Sequence, residues 1–236
     1  MTRAGLRAAA ALLIVTAAAA CGKNASSSSS PPPPKSSSLT VLTPAATGSY
    51  PSPITWGLYR EVSSLDPIIA FDYPENTVIS TLCDTLLRQA PDGVVGPGLG
   101  TLTYPDPTTL SIAIHPGATF WDGHPVTADD VVYSLDRQRD PKLGGFYGQV
   151  FTRVKSITAT DPSTVTIKLT QPDYWLPGEL SSTPGFILEK AYVEAKGKSF
   201  GTVTGGTMCS GPFKLGSWKT GDVLAVTANQ NYWDPA

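Results

Sequence analysis

The side chains that could carry out chemistry are few, and their spacing does not predict an active site. The two histidines, His115 and His124, lie in turn-forming contexts, and neither has a cysteine at the spacing of metal ligands. We interpret each as a solvated or hydrogen-bonded loop residue. The carboxylates of Asp129 and Asp130 fall in the first turn of a predicted helix, where the helix dipole stabilises negative charge. We therefore expect no catalysis, no cofactor and no bound metal.

The length and composition indicate a globular protein of one large domain or two small ones. The chain has 236 residues and a formal net charge of −2, with 17 basic and 19 acidic side chains. This near-neutral charge provides no basic surface for nucleic acid or lipid. Charged residues make up only 15% of the chain, whereas glycine and proline contribute 22 residues each, which favours a loop-rich secreted protein.

Residues 1–20 have the pattern of a signal peptide. A positively charged start precedes the apolar stretch Ala8–Ala20, which is too short to span a membrane as a mature helix. Cys21 follows directly, in a context that resembles a bacterial lipobox except that Ala18 stands where leucine is preferred. We predict that Cys21 is lipidated. The alternative is an ordinary A-x-A cleavage site in which the cysteine is incidental.

Residues 21–53 are predicted to be a lipid-anchored tether rich in serine and proline. Runs of these two residues occupy 26–38, and such sequences favour solvated coil and polyproline II structure over a packed core. The first folded residue is placed near Ile54.

A compact structural unit is predicted between Leu110 and Pro141. Leu110–Ile114 is an apolar run typical of a strand, and a His-Pro-Gly turn closes it. After the aromatic pair Phe120–Trp121, Thr127 can cap a helix that ends before Pro141. This unit is a scaffold and contains no reactive group.

A core helix is predicted before this unit. Pro74 suits a helix start, and Val78, Leu82 and Leu86 recur at the spacing of one buried helical face, which Leu87 widens.

Alternation and turn residues predict the other elements. Thr164–Leu169 alternates apolar and polar residues, which indicates an antiparallel strand with one solvated face. Further predictions are a first strand at Ile54–Tyr59, a surface helix at Glu189–Lys198, and a hairpin of Phe213–Trp218 with Val223–Ala228.

Four sequence blocks carry a resemblance to a known family. Phe120–Ser134, FWDGHPVTADDVVYS, resembles the signature F-x-D-G-x-P-x-T-A-x-D-V-x-x-S of the family 5 extracytoplasmic solute-binding proteins, the peptide- and nickel-type receptors of ABC importers. Three more blocks agree in order and spacing: Ser64–Pro67, Ser210–Leu215 and Asn231–Trp233.

The resemblance implies an α/β fold of the class II periplasmic-binding-protein type, with two lobes around a ligand cleft. Residues 54–84 and 172–236 would belong to the first lobe, and 85–171 would form an inserted mixed α/β subdomain. In the family, the block at Asn231–Trp233 comes just before the chain crosses to the second lobe. We therefore expect that lobe to be absent from this sequence.

The resemblance also implies ligand-binding residues. Phe71, Asp72 and Tyr73 follow the Leu-Asp-Pro block, at the place where the family lines its cleft. Asp72 could accept a hydrogen bond from a ligand ammonium or amide, and Tyr73 could form a flat wall. The alternative is that the three residues only shape the entry to a helix.

A second wall of the cleft is expected at Cys209, Ser210 and Gly211. The family has Gly-Thr-Gly-Pro at this turn, so the cysteine and the serine depart from its pattern.

A Cys83–Cys209 disulfide is predicted in addition. If lipid modifies Cys21, two of the three cysteines remain, in a compartment that permits oxidation, and the resemblance places both in the first lobe. The alternative is a pair of buried free thiols.

The function implied is that of an extracytoplasmic lipoprotein, anchored to the cell membrane, that delivers oligopeptide-like solutes to an ABC permease. No nucleic-acid partner is expected. One alternative is a stand-alone envelope lobe that binds another protein. Another is a receptor for a non-peptide solute such as a metal chelate, which the low histidine count disfavours.

Overall fold

A computed structural model of the chain describes residues 53–234. The predicted signal peptide, Cys21 and nearly all of the predicted tether lie outside the described residues. Within 53–234, no helix is long and apolar enough to cross a membrane.

The described part is a mixed α/β structure. Its helices are α1 (Tyr73–Leu82), α2 (Ala128–Arg139), α3 (Leu176–Glu179) and α4 (Lys190–Lys196), with 3₁₀ segments at Pro141–Leu143, Gly148–Phe151, Thr183–Gly185 and Gly197–Ser199. Its strands are β1 (Leu87–Gln89), β2 (Val95–Pro97), β3 (Gly100–Asp106), β4 (Thr109–Ile114), β5 (Val154–Asp161), β6 (Thr164–Leu169), β7 (Phe213–Lys219) and β8 (Val223–Ala228).

The largest sheet is antiparallel and has the strand order β3-β4-β6-β5. The predicted alternation of β6 is confirmed, because Val165, Ile167 and Leu169 are buried whereas Lys168 between them is exposed. On the neighbouring strand β4, Leu110 and Ile112 are also fully buried. One apolar face of this sheet is therefore available for packing.

Helix α2 covers that face, and it begins where the capping residues predict. Thr127 and Asp130 form a capping box, in which each side chain accepts a hydrogen bond from the backbone N–H of the other residue. Behind the cap, Val131 and Leu135 are fully buried in the same hydrophobic cluster as the sheet. The predicted strand-turn-helix unit is confirmed.

Helix α1 is shorter than its apolar spacing suggests. It begins at Tyr73, with Asp72 as its N-cap, and it ends at Leu82 because Cys83 has an extended backbone. Leu86 and Leu87 are fully buried, but they lie beyond the helix, where their N–H groups bond to Gly185 and Leu180. The apolar periodicity would continue the helix to Leu87, but long-range hydrogen bonds hold Leu86 and Leu87 outside it.

The strand predicted at Ile54–Tyr59 is wrong. These residues are irregular, and Ile54 and Trp56 are 76% and 77% exposed. A strand needs a partner for its backbone groups, and none of the strands in 53–234 pairs with this segment. The hairpin β7–β8 and the short surface helix α4 are confirmed.

The described residues form two hydrophobic clusters. One lies between the large sheet and α2, and the other surrounds α1 with residues such as Leu65, Ile79, Phe186 and Leu188. This division resembles the predicted lobe and insertion, although the first cluster also includes Leu180 and Ile187. The boundary at 85–171 stays a prediction.

Cys83 and Cys209 are joined as a disulfide next to the end of α1. Their Cα atoms are 4.8 Å apart, and the link connects positions 126 residues apart in sequence. Beside it, the Gly211 N–H donates to the Leu82 carbonyl oxygen over 2.9 Å. A Cβ atom on Gly211 would come within 2.4 Å of that oxygen, so only glycine fits at this crossing.

We predict that this disulfide forms in solution and stabilises the fold. Because it closes a long loop, the C83A/C209A variant should lose roughly 2–4 kcal/mol of unfolding free energy in urea titrations. Thiol titration of the denatured, unreduced chain should detect no thiol besides that of Cys21. Detection of two further thiols would contradict the prediction.

Candidate functional site

A buried ion pair connects the chain before α1 to the first turn of that helix. Glu75 is 1% exposed, and its two carboxylate oxygens each accept a hydrogen bond of 2.7 Å from Arg60. The backbone N–H and the hydroxyl of Ser63 donate to the same carboxylate over 2.8 and 2.7 Å. Burial alone would raise the pKa of Glu75, but the hydrogen bonds from Arg60 and Ser63 outweigh it and hold the pKa at about 2.

Asp72 belongs to the same network and shares the single positive charge of Arg60 with Glu75. Its carboxylate accepts hydrogen bonds from the Tyr59 hydroxyl, from Arg60 over 3.1 Å, and from the Tyr73 N–H over 2.7 Å. The hydrogen bond from Tyr59, followed by that from the Tyr73 backbone, lowers the pKa of Asp72. Its contacts are those of the helix-entry alternative, and ligand binding by Asp72 stays a prediction.

The residues on either side of Asp72 are aromatic and exposed. Phe71 is 57% exposed and Tyr73 is 78% exposed. The ring of Phe71 stacks on the ring of Phe146, with 4.4 Å between their centroids, and the Phe146 N–H donates to the Ile68 carbonyl over 3.0 Å. We call Tyr59, Phe71, Tyr73 and Phe146 the aromatic surface.

Sequence reasoning missed Phe146, which lies 75 positions after Phe71. The only local signal is the pair Phe146–Tyr147 between glycines on both sides. The Tyr147 hydroxyl also reaches back, and it donates to the Ala70 carbonyl over 3.1 Å. Both aromatic residues thus fix the loop that precedes α1.

The second predicted wall is corrected by the structure. Cys209 and Ser210 are each 0% exposed, and Gly211 is buried against the end of α1. Cys209 is held in the disulfide, and the Ser210 hydroxyl donates to Asp84 over 3.3 Å. These residues lie in the interior of the lobe, so a solute on its surface cannot touch their side chains.

Asp84, which sequence reasoning also missed, anchors the last described residues. Its carboxylate accepts hydrogen bonds from the Tyr232 hydroxyl and the Trp233 indole, both over 2.9 Å. Arg88 lies 3.6 Å from the same carboxylate and forms an ion pair of 2.8 Å with Asp234. The burial of Tyr232 and the negative charge of Asp84 raise the pKa of Tyr232. The Asn-Tyr-Trp block therefore holds the end of the described chain against Asp84.

One group of described side chains has the composition of a metal site. The His124 Nδ1 atom lies 2.8 Å from a carboxylate oxygen of Glu189 and 3.0 Å from one of Asp122. The hydrogen bond to Glu189 and the charge of Asp122 raise the pKa of His124. Sequence reasoning did not find this group because Glu189 lies 65 residues beyond His124.

Two cavities lie away from the aromatic surface. The larger, of about 560 Å³, is lined by apolar and aromatic residues that include Tyr104, Tyr174 and Trp175. The smaller, of about 490 Å³, is mostly polar and includes Asp84 and Arg88. No residue of the aromatic surface lines either of these two cavities.

Comparison with known proteins identifies the family. The family model described as bacterial extracellular solute-binding proteins, family 5, middle region, matches residues 99–236. The chain belongs to this family. Family 5 is a solute-binding family and not an enzyme family.

Individual relatives agree with this family assignment. The family 5 chain is 31% identical over 194 residues to the periplasmic murein peptide-binding protein MppA of Escherichia coli, a match that covers 75% of this chain and 36% of that protein. Among solved structures, OppA of Burkholderia pseudomallei has a TM-score of 0.69 and 27% identity. MoaA of A. tumefaciens, solved in complex with mannopinic acid, has a TM-score of 0.68 and 28% identity.

These matches confirm the predicted fold class, an α/β lobe of the periplasmic-binding-protein type. OppA is covered over 38% of its length and MoaA over 36%, while the matches cover 75% and 73% of this chain. The family 5 chain thus spans little more than a third of the length of these relatives.

We predict that Glu75 contributes to stability in a pH-dependent way. Its pKa in the folded protein, about 2, lies below the ordinary value of 4.5, so its contribution is complete above pH 4.5 and declines as the pH falls towards 2. E75Q should lose about 1–3 kcal/mol at pH 7, because Arg60 and Ser63 lose a charged acceptor. The variant should also lose less stability than the wild type between pH 4.5 and 2.

Urea unfolding at a series of pH values measures both effects. E194Q, which changes an exposed glutamate on α4, is the matched control and should unfold like the wild type. An acid dependence of E75Q identical to that of the wild type would show that Glu75 is not the titrating group.

Proposed function

We propose that this family 5 chain forms one lobe of an extracytoplasmic receptor that presents oligopeptide-like solutes to an ABC permease. The observation that carries the proposal is the aromatic surface at the start of α1. The Arg60–Glu75 pair fixes the chain on one side of it, and Phe146 supports it on the other. The murein peptide named for MppA supports the solute class.

The chemistry of the aromatic surface suits a peptide that is recognised by its backbone and by apolar side chains. Asp72 already accepts hydrogen bonds from Tyr59, Arg60 and the Tyr73 N–H, so few acceptor positions remain for a cationic group on the solute. Phe71 and Tyr73 offer flat apolar faces on which peptide side chains can pack. Among the hydrogen bonds of residues 53–234, none uses the backbone N–H or C=O of Phe71, so both groups are available to an extended peptide.

A non-peptide solute is the second candidate. MoaA, whose match covers 73% of this chain, was solved with mannopinic acid, so this fold also serves small solutes that are not peptides. The flat apolar faces of Phe71 and Tyr73 would accept either class.

We predict that this chain alone binds peptide weakly. One wall leaves most of a ligand in water, whereas pockets that bind well enclose roughly 70–90% of the ligand surface. Saturation-transfer NMR with apolar tripeptides should give a Kd of about 1 mM or weaker. Y73A should weaken this binding by about two- to tenfold, because it removes one aromatic contact.

Y174A is the matched control, because Tyr174 is 74% exposed and lines the larger cavity away from the aromatic surface. It should leave peptide binding unchanged. Binding below 1 µM by this chain alone would show that one lobe suffices. A larger loss for Y174A than for Y73A would move the site away from the aromatic surface.

Membrane attachment through Cys21 completes the proposal. Its support is the apolar stretch directly before Cys21 and the serine- and proline-rich segment directly after it. A diacylglycerol group supplies two acyl chains, which anchor stably where one chain binds only marginally. The permease would then meet the receptor at the outer face of the membrane.

We predict that the mature protein begins at a lipidated Cys21. Mass spectrometry of the membrane fraction should find the N-terminal peptide with the added mass of diacylglycerol, and C21A should release the protein from the membrane. A mature N-terminus at Cys21 without lipid mass would refute the anchor.

A further inference from the structure

Asp122, His124 and Glu189 converge at one point on the surface. Their candidate ligand atoms all lie within 4.8 Å of one another. Glu189 is 7% exposed, whereas the His124 side chain is 71% exposed, so a buried carboxylate meets an imidazole that solvent can reach. We call these three residues the Asp-His-Glu cluster.

The local fold explains why the three side chains meet. Asp122 and His124 flank Gly123 in a tight turn, and Gly123 has a φ of 94°, which favours glycine. The second oxygen of Asp122 accepts the His124 N–H over 3.0 Å and fixes the turn. Glu189 immediately precedes α4, but it makes no side-chain cap of that helix and points at His124 instead.

Within residues 53–234, no basic side chain outside the cluster compensates its two carboxylates. Two carboxylates share a single imidazole nitrogen, and no lysine or arginine of residues 53–234 forms an ion pair with either of them. The lysine that contacts this turn, Lys214, donates instead to the Trp121 carbonyl over 2.7 Å. With a neutral imidazole the cluster carries two negative charges, which a divalent cation would balance.

We propose that the Asp-His-Glu cluster binds a divalent transition-metal cation of the Zn²⁺ class. One imidazole and two carboxylates are donors that Zn²⁺ and Co²⁺ accept, whereas Ca²⁺ and Mg²⁺ prefer oxygen ligands alone. Bonds of about 2.0–2.1 Å in a tetrahedral arrangement separate the ligand atoms by roughly 3.3 Å. The observed 2.8 and 3.0 Å between His124 and the two carboxylates need to widen by only a few tenths of an ångström.

In this arrangement the metal takes the place of the proton on Nδ1, and solvent occupies the remaining position. The exposed His124 leaves that position open, as in sites with three protein ligands and a bound water. The metal would join the turn at 122–124 to the start of α4, which is 65 residues away in sequence. Because the unfolded chain lacks this arrangement, binding should stabilise the folded state.

The test uses the full 236-residue chain without an affinity tag. All variants carry C21S, so that no free thiol competes for metal. Isothermal titration with Zn²⁺ should give one ion per chain, and the melting temperature should rise with Zn²⁺ concentration. H124Q and E189Q should each weaken binding by about tenfold or more and reduce the rise in melting temperature at the same Zn²⁺ concentration.

H115Q is the matched control, since His115 packs on Trp233 and lies outside the cluster. It should bind Zn²⁺ like the parent protein. If E189Q fails to fold, D122N replaces it, because asparagine keeps the oxygen that accepts the His124 N–H. Only two histidines are present, so NMR should show the imidazole signals of His124 shifting with Zn²⁺ while those of His115 stay.

Three results would overturn the proposal and leave the cluster a structural ion pair. They are no heat and no imidazole shift with Zn²⁺, an equal loss of binding in H115Q and H124Q, or Ca²⁺ binding as tight as that of Zn²⁺. None of them bears on peptide binding at the aromatic surface, so this proposal and the proposed function fail separately.

Discussion

The structure depends on the crossing between the end of α1 and the segment Cys209–Gly211. The disulfide joins the two segments, and the Gly211 N–H bonds to the Leu82 carbonyl at a distance that excludes any larger residue. The strand-turn-helix unit between Leu110 and Pro141 is attached at the same place, because the Trp121 N–H donates to the Cys209 carbonyl over 2.9 Å. Asp84, which directly follows Cys83, accepts hydrogen bonds from Tyr232 and Trp233 and so holds the last described residues. Parts of the chain that are far apart in sequence are thus fixed at one point.

The aromatic surface is built outward from this crossing. Helix α1 is fixed at its C-terminal end by the disulfide and at its N-terminal end by the Glu75–Arg60 pair. A helix held at both ends can present the exposed rings of Phe71 and Tyr73 in a constant orientation, which reduces the ordering cost of binding a solute. The carboxylate of Asp72 takes part in this positioning, because it accepts hydrogen bonds from Arg60 and from the Tyr73 N–H. The network therefore positions the aromatic surface and occupies most of the acceptor positions of Asp72.

Sequence reasoning succeeded where the determinants are local. The strand-turn-helix unit around Thr127 and the alternation of β6 follow from caps, turns and periodicity within a few residues. It failed where distant contacts decide the outcome. Ile54–Tyr59 has strand-forming residues but no partner strand within 53–234. Ser210 has the sequence context of an exposed turn residue, but it is buried and its hydroxyl donates to Asp84. The stacking of Phe146 on Phe71 and the pairing of Glu189 with His124 likewise have no signal within either segment.

The location of a bound peptide tests the central claim most directly. A tripeptide that carries a nitroxide spin label, added to the full chain, broadens the NMR signals of the backbone amides nearest to it. The account predicts the strongest broadening at Phe71, Tyr73 and Phe146, and little at Tyr104 and Tyr174 beside the larger cavity. Strongest broadening at Tyr104 and Tyr174, with the amides around Phe71 unaffected, would contradict it.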